Sequence, residues 1–138
     1  MNTSSTHTTP STAAAATSLA TAQVWVALQF DAAIELCMGA HAFGAQSDQQ
    51  QASAQAWRAA AVVQALQMTL DMRRGGELAR QLFELFDYVQ RRLRGSTAVE
   101  PLVAYREAAD LLSQVRQAWQ AEPELVPTHA RHVTPQLH

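Results

Sequence analysis

The chain has 138 residues, which suits one domain with a single core and is too short for two domains of ordinary size. Nearly half of the residues are hydrophobic, but alanine supplies many of them, and β-branched and aromatic residues are sparse, which predicts an all-α protein. Nucleic acid is disfavoured as a partner for two reasons: the net charge is -2, and aromatic residues are not interleaved with the arginines in a stacking pattern. The single cysteine, Cys37, excludes an intramolecular disulfide and has the apolar neighbours of a core residue.

Charge is distributed unevenly along the chain. Residues 1–57 contain three acidic residues and neither lysine nor arginine, whereas all ten cations are arginines from Arg58 onward. Six of them lie within residues 73–94, which we interpret as the solvated flank of a helix. The N-terminus has no basic region of a secretory signal, and no run of apolar residues could span a membrane. We therefore predict a cytoplasmic protein without direct membrane insertion.

Both ends of the chain are predicted to be tails that flank one domain, residues 18–122. Residues 1–17 are rich in Ser, Thr and Ala and lack any large apolar residue, so they cannot offset the entropy of ordering and should be disordered. Residues 123–138 carry three of the five prolines and show no amphipathic period, which predicts a flexible second tail.

The first two helical patterns cover residues 18–39 and about 48–72. Gly39 suits the end of the first helix, and Asp48 or Ser47 suits the N-cap of the second. The apolar stripe of the first helix consists of Val26, Phe30, Ala33, Ile34, Cys37 and Met38. The stripe of the second consists of Ala56, Ala60, Val63, Gln67 and Leu70, widened by Trp57, Ala61 and Leu66.

Two adjacent glycines, Gly75 and Gly76, interrupt the helical pattern that follows. Arg73 and Arg74 are predicted to complete the last turn of the second helix, where positive charge complements its dipole. Gly75 can then adopt the left-handed conformation that ends a helix, and Gly76 lets the chain reverse before Glu77 starts the next helix. A connection this short predicts a tight hairpin of antiparallel helices.

The third and fourth helices are predicted at residues 77–94 and 101–121. Pro101 suits the first position of the fourth helix, where its missing N–H costs nothing. The third stripe consists of Leu78, Leu82, Leu85, Phe86, Val89 and Leu93, and the fourth of Leu102, Tyr105, Ala109, Leu112, Val115 and Trp119. Four helices with apolar stripes predict an antiparallel up-down four-helix bundle.

The residue patterns of enzymes and metalloproteins are not visible in the sequence. No glutamate is followed three residues later by histidine, as the usual di-iron site of a helical bundle requires. His129 and His132 lie in the proline-rich tail, where a stray spacing is favoured over a structural metal site. Gly75 and Gly76 join two helices and lack the lysine of a phosphate-binding loop. We predict no catalytic activity, no cofactor and no bound metal.

Residues 69–93, TLDMRRGGELARQLFELFDYVQRRL, resemble the flagellar secretion chaperone family of the FliS type. Members carry Leu-Asp, then Gly-Gly-Glu, a leucine-rich turn, an aromatic-Asp-aromatic triplet and Arg-Arg-Leu. Upstream, ALQFDAAIEL is similar to a segment of the family's first helix, and LLSQVRQAW fits its closing helix. The motif positions here are Leu70, Asp71, Gly75, Gly76, Glu77, Leu82, Leu85, Phe86, Asp87, Tyr88, Arg91, Arg92 and Leu93.

The resemblance implies a cytosolic chaperone that binds the disorder-prone C-terminal segment of flagellin and prevents its polymerisation before export. It also implies contact with an export-gate component of the flagellar secretion system, by a monomer or weak homodimer. An open alternative is a diverged paralogue, an adaptor or regulatory bundle that binds a different amphipathic helix.

Several residues are assigned roles on these grounds. Phe83 and Tyr88 cannot share one narrow stripe with Leu82 and Phe86, so at least one of them should line a partner groove. We also hypothesise that Asp31 meets Arg91 or Arg92 and fixes the register of the first and third helices. Candidate partner-binding residues are Phe30, Trp57, Leu82, Phe83, Phe86, Tyr88, Arg91 and Arg92. Structural motif residues are Asp31, Asp71, Gly75, Gly76, Glu77 and Asp87.

Overall fold

A computed structural model describes residues 10–95 and 100–123 of the chain, with side chains described from Thr21 onward. Within these residues the chain forms four helices and no strand, which confirms the all-α prediction. The remaining residues, which include most of both predicted tails together with His129 and His132, lie outside the described part. The helices are α1 (Pro10–Ala45), α2 (Gln49–Met68), α3 (Met72–Leu93) and α4 (Pro101–Ala121).

Contacts between α2 and α3 show that these two helices run in opposite directions. The Arg94 guanidinium lies 5.3 Å from the centre of the Trp57 ring, and Gln67 donates a hydrogen bond to the Phe83 carbonyl. The partner on α3 therefore moves back along the chain as the residue on α2 moves forward. This is the pairing that the predicted helical hairpin requires.

Helix α1 packs in the same antiparallel sense against α4. Near the start of α4, Leu102 lies beside Gly44, and near its end Arg116 bonds Asp31. Because α1 also packs against α2, and α4 against α3, the four helices close into the up-down bundle that the sequence predicted.

Helix α1 extends beyond both predicted ends. It begins at Pro10, within the segment predicted to be a disordered tail, and continues through Gly39 to Ala45. The N-terminal extension is explained by Ala13–Ala16, because alanine has the highest helix propensity, and by proline at the first helical position. Gly39 does not end the helix, so the predicted boundary is wrong there.

Gly44, close to the end of α1, lies against α4. A methyl group at Gly44 would lie 2.7 Å from the Leu102 Cδ2 atom, so the leucine side chain would have to shift to make room for it. The glycine therefore permits α1 and α4 to approach each other at this level of the bundle. The connection to α2 is only Gln46–Asp48, and the predicted cap is confirmed, because Asp48 Oδ1 accepts a hydrogen bond from the Gln51 amide at 3.1 Å.

The turn between α2 and α3 is built differently from the prediction. Helix α2 ends at Met68, and the Thr69 hydroxyl donates to the Leu66 carbonyl at 2.8 Å. Buried Asp71 then caps α3 by accepting from the Arg74 amide at 3.0 Å. Side-chain hydrogen bonds of Thr and Asp compete with the helical pattern, which is why the chain turns here rather than at the glycines.

The two glycines have separate roles in the first part of α3. Gly75 closes a single helical turn, since its amide donates to the Asp71 carbonyl at 2.8 Å. Gly76 alone takes the positive φ, with φ 55° and ψ -130°, and breaks the helix before Glu77. The left-handed conformation predicted for Gly75 is thus wrong by one residue. Arg73 and Arg74 belong to the first turn of α3 and not to the last turn of α2.

The core is centred on aromatic rings from three helices. Phe30 of α1 is fully buried, with its ring centre 6.2 Å from that of Phe86 and 6.3 Å from that of Trp119. Alanines fill the α1–α2 side, which lets these two helices approach closely. Most predicted stripe positions are buried, whereas Met38 and Leu78 are exposed at the edges of their stripes.

A matched pair of alanine variants tests the assignment of the helix break. We expect Gly76→Ala to lower the free energy of unfolding by about 1–3 kcal/mol, because a side chain is strained at this φ. Gly75→Ala should leave stability unchanged or raise it, because alanine favours the helical conformation that this residue already has. Urea denaturation of both variants makes the comparison. Equal losses in both would contradict the assignment of the break to Gly76.

Candidate partner-binding surface

The structure separates the predicted partner-binding residues into buried and exposed groups. Phe30, Leu82 and Phe86 belong to the core and present no free surface. Trp57 and Phe83 are large, exposed aromatics, with 53% and 41% of their surface accessible. The remaining three, on α3, differ in burial: Arg91 is exposed, Tyr88 half-buried and Arg92 buried.

An exposed apolar strip follows the outer side of the α2–α3 contact. Trp57 and Met68 come from α2, and Phe83 comes from α3. Phe83 lies level with Met68, because its carbonyl accepts the hydrogen bond from the neighbouring Gln67 side chain. Met68 is the most exposed of the three, with 69% of its surface accessible. These three residues, the α2–α3 strip, form an apolar surface of the kind that marks interaction sites.

A chain of polar contacts lies beneath the strip and joins its two helices. The Gln67 Nε2 atom donates to the Phe83 carbonyl at 3.0 Å, and the Gln90 Nε2 atom donates to the Gln67 Oε1 atom at 2.9 Å. Gln90 in turn accepts from Arg94, whose guanidinium lies over the Trp57 ring. Both glutamines are buried, so this network fixes the register of α2 against α3 and thereby the spacing of the strip.

Helices α3 and α4 are joined by a second polar cluster. The Arg92 Nε atom lies 2.5 Å from the Glu107 Oε1 atom, and only 8% of the arginine side chain is exposed. The Tyr88 hydroxyl donates to both Glu107 oxygens at 3.0 and 2.9 Å. This hydrogen bond to a carboxylate raises the pKa of the Tyr88 phenol. Stability from the bond is complete below the unfolded tyrosine pKa and is lost as pH rises through the higher folded value.

Asp31 has a different partner from the one hypothesised. Its Oδ1 atom accepts from the Arg116 Nε atom of α4 at 3.1 Å, so it links α1 to α4 and not to α3. Arg91 bonds Asp87 within α3, at 3.3 Å and with both side chains exposed, a pair of little energetic weight. The hypothesis failed because the sequence cannot tell which of several arginines on different helices comes nearest.

Comparison with known proteins decides the family. The family model described as "Flagellar protein FliS" matches residues 6–124. The chain belongs to the FliS family. "Flagellar secretion chaperone FliS" of Salmonella typhimurium (strain LT2) is 41% identical over 54 residues, which are 39% of this chain and 40% of that protein. The match thus spans about two fifths of the relative's length. No solved structure matches the chain.

The motif residues of this FliS chain have local structural roles where the structure describes them. Asp71 caps α3, and Gly76 supplies the positive φ that breaks it. Glu77 follows this break and accepts hydrogen bonds from Arg80 and Gln81 on the exposed side of α3. The Gly-Gly-Glu motif therefore shapes the start of the helix that carries Phe83.

Sequence reasoning missed four residues that shape the surface of this FliS chain. The roles of Gln67 and Gln90 could not be predicted, because the position of a glutamine along one helix does not show which residue of another helix it contacts. Met68 follows Trp57 and Ala61 at helical spacing beside the core stripe, a signal that could have found it. The role of Arg94 is visible only in the structure, which places its guanidinium over the Trp57 ring.

The described residues show no reactive thiol, metal-ligand cluster or membrane-spanning helix. Burial raises the pKa of the Cys37 thiol to about 12, so it stays protonated and unreactive. No group of three potential metal ligands occurs within residues 10–95 and 100–123. None of the four helices is long and apolar enough to cross a membrane. A shallow depression beside α4 is lined by His41 of α1 and by Leu102, Val103, Arg106, Glu107, Asp110, Leu111 and Gln114 of α4.

Two carboxylate variants of α4 test how much the α3–α4 cluster contributes to the free energy of unfolding. We expect Glu107→Gln to lower the free energy of unfolding by about 2 kcal/mol, because the buried Arg92 guanidinium loses a charged hydrogen-bond acceptor. Asp110→Asn removes the exposed pair with Arg106 on the same helix and should change stability by less than about 0.5 kcal/mol. Thermal denaturation at neutral pH compares them. Similar small effects would show that the cluster does not hold α3 to α4.

Proposed function

We propose that this chain is a cytoplasmic flagellar export chaperone that binds the C-terminal segment of flagellin. On this proposal it prevents premature polymerisation and assists flagellar type III secretion without catalysing a reaction. Membership of the FliS family and the similarity to the Salmonella flagellar secretion chaperone support the chaperone role. The observation that carries the binding role is the α2–α3 strip, an exposed apolar surface along a helix contact that a buried hydrogen bond holds in register.

The chemistry of the strip suits an amphipathic segment that has not yet found its own subunit partners. Such a segment exposes an apolar face, and laying it along the groove between two helices removes that face from water. The aromatic rings of Trp57 and Phe83 supply large contact areas. The Arg94 guanidinium packs over the Trp57 ring. Aromatic anchors of this kind dominate the binding energy of many interfaces.

The size of the strip indicates how much more contact the client needs. Covering the exposed parts of Trp57, Met68 and Phe83 removes about 300 Å² from water, worth about 7 kcal/mol. Ordering a flexible segment costs about 2–5 kcal/mol, and association costs at least about 4 kcal/mol more. The strip alone would therefore leave almost no net affinity. We infer that the client wraps over further surface, with the strip as its anchor.

The partners follow from the same proposal. Flagellin is the client, and an export-gate component of the secretion system receives the complex from a monomer or weak homodimer of this chain. The second candidate function is an adaptor or regulatory bundle for a different amphipathic helix. That candidate is favoured by the same strip, since an apolar groove does not by itself specify which helix it binds.

The proposal is tested by isothermal titration of the full chain with the C-terminal segment of flagellin from the same organism. We expect stoichiometric binding with a large negative heat-capacity change, because a segment that folds onto the bundle buries apolar surface. Trp57→Ala and Phe83→Ala should each weaken binding by about tenfold or more. Val103→Ala, which truncates an exposed residue on α4, is the matched control and should bind as the parent does.

The outcomes separate the two candidate functions. Absence of binding at about 0.1 mM would remove flagellin as the client and favour the adaptor. Binding that is unchanged in Trp57→Ala and Phe83→Ala would keep the client and remove the α2–α3 strip as its anchor. If Phe83→Ala lowers thermal stability but leaves the affinity for the flagellin segment unchanged, Phe83 stabilises the core and does not contact the partner.

A further inference from the structure

Helix α1 has a second apolar face on its outer side. Its buried residues, among them Val26 and Phe30, point into the bundle, whereas Val24, Leu28 and Met38 are exposed on the opposite side. Leu28 has 58% of its surface accessible, the same fraction as Val24. A helix with apolar residues on opposite faces is typical of one that is covered on both.

Five residues on the outer side of α1 follow the spacing of a coiled-coil seam, and we call them the outer seam: Val24, Leu28, Asp31, Glu35 and Met38. Successive positions along this face are separated by four, three, four and three residues, the repeat that lets two helices pack along each other. The seam runs for about 21 Å, which suits a helix of ordinary length.

Charge at the centre of the outer seam restricts what can cover it. Asp31 and Glu35 occupy the two seam positions between Leu28 and Met38. Asp31 is half-exposed even though it bonds Arg116, and exposed Glu35 has no ion pair within the part of the chain that the structure describes. The first 57 residues contain no lysine or arginine, so α1 itself cannot neutralise these carboxylates.

A second copy of this chain does not fit the outer seam. In a parallel pair Asp31 would face Asp31 and Glu35 would face Glu35. In an antiparallel pair centred on the seam Asp31 would again face its own equivalent, and Glu35 would face Leu28. Like charges in contact across an interface are unfavourable, so the seam selects against self-association.

We infer that the outer seam docks a helix of another protein, with leucine-type residues at its flanks and lysine or arginine at its centre. The flanking residues would cover Val24, Leu28 and Met38, and the central cations would pair with Asp31 and Glu35. The seam lies on α1, whereas the strip that anchors the proposed client lies on α2 and α3, and on this inference the partner of the seam is a protein other than the client. The inference therefore does not depend on flagellin binding.

Two designed helices of about 21 residues, long enough to be helical in water, probe the seam. One carries leucine at the flanking seam positions and lysine at the two central ones, and the other carries glutamate in place of lysine. Both are made in parallel and antiparallel order, labelled with a fluorophore and titrated with the full chain by anisotropy. We expect the lysine helix to bind about tenfold or more tightly than the glutamate helix.

Three variants locate the binding on α1. Leu28→Gln should weaken binding of the lysine helix about fivefold or more, because it removes an apolar seam contact. Glu35→Lys should reverse the preference, so that the glutamate helix binds more tightly. Val103→Gln makes the same apolar-to-polar change on α4 and should leave both affinities unchanged. All three sites are exposed, so the variants should fold.

Several results would overturn the inference. Equal affinity for the two helices, or no binding at about 1 mM, would show that the seam does not select a cationic helix. Self-association in analytical ultracentrifugation that Leu28→Gln abolishes would assign the seam to a second copy. Loss of flagellin-segment binding in Leu28→Gln would assign the seam to the client and remove the separate partner.

Discussion

The buried hydrogen bond between Gln67 and Gln90 is the constraint on which the geometry of the α2–α3 strip depends. A buried amide is costly unless its donors and acceptors are paired, so α2 and α3 can pack only in the register that brings these two side chains together. That register places Met68 level with Phe83 and brings Arg94 over Trp57. The pairing of two polar side chains inside the bundle thus determines the arrangement of apolar side chains outside it.

The two outer surfaces differ in charge because the helices that carry them differ in composition. Helix α2 contains no acidic residue and one charged residue, Arg58, whereas α3 carries exposed residues of both signs, among them Arg80 and Glu84, so the α2–α3 strip has a mixed charge setting. Helix α1 contains Asp31 and Glu35 and no cation, so its outer seam is acidic. An acidic seam and a strip of mixed charge on one small bundle favour two different partners, in keeping with the two proposals made for them.

The hairpin between α2 and α3 shows how far local patterns could be read. Helix-breaking residues were expected to end α2, and the reversal was assigned to the right segment of the chain. The structure places the turn at Thr69 to Asp71, because their side chains bond to the backbone, and leaves Gly76 to break α3. Glycine was also given too much weight at Gly39, which was expected to end α1 and lies inside it, whereas Gly44 lies beside Leu102 of α4.

The sequence by itself determined the helical class, the number of helices, most core positions and the FliS motifs, because helical periodicity and turn chemistry are local properties. It also pointed to Phe83 as a residue outside the narrow stripe of its helix and named Trp57, which widens the stripe of α2, as a candidate for partner binding. Only the tertiary structure decided which charged and polar groups meet: Asp31 with Arg116, Arg92 with Glu107, and Gln67 with Gln90. These pairs join different helices, and a repeat along one helix carries no information about the rotation of the next.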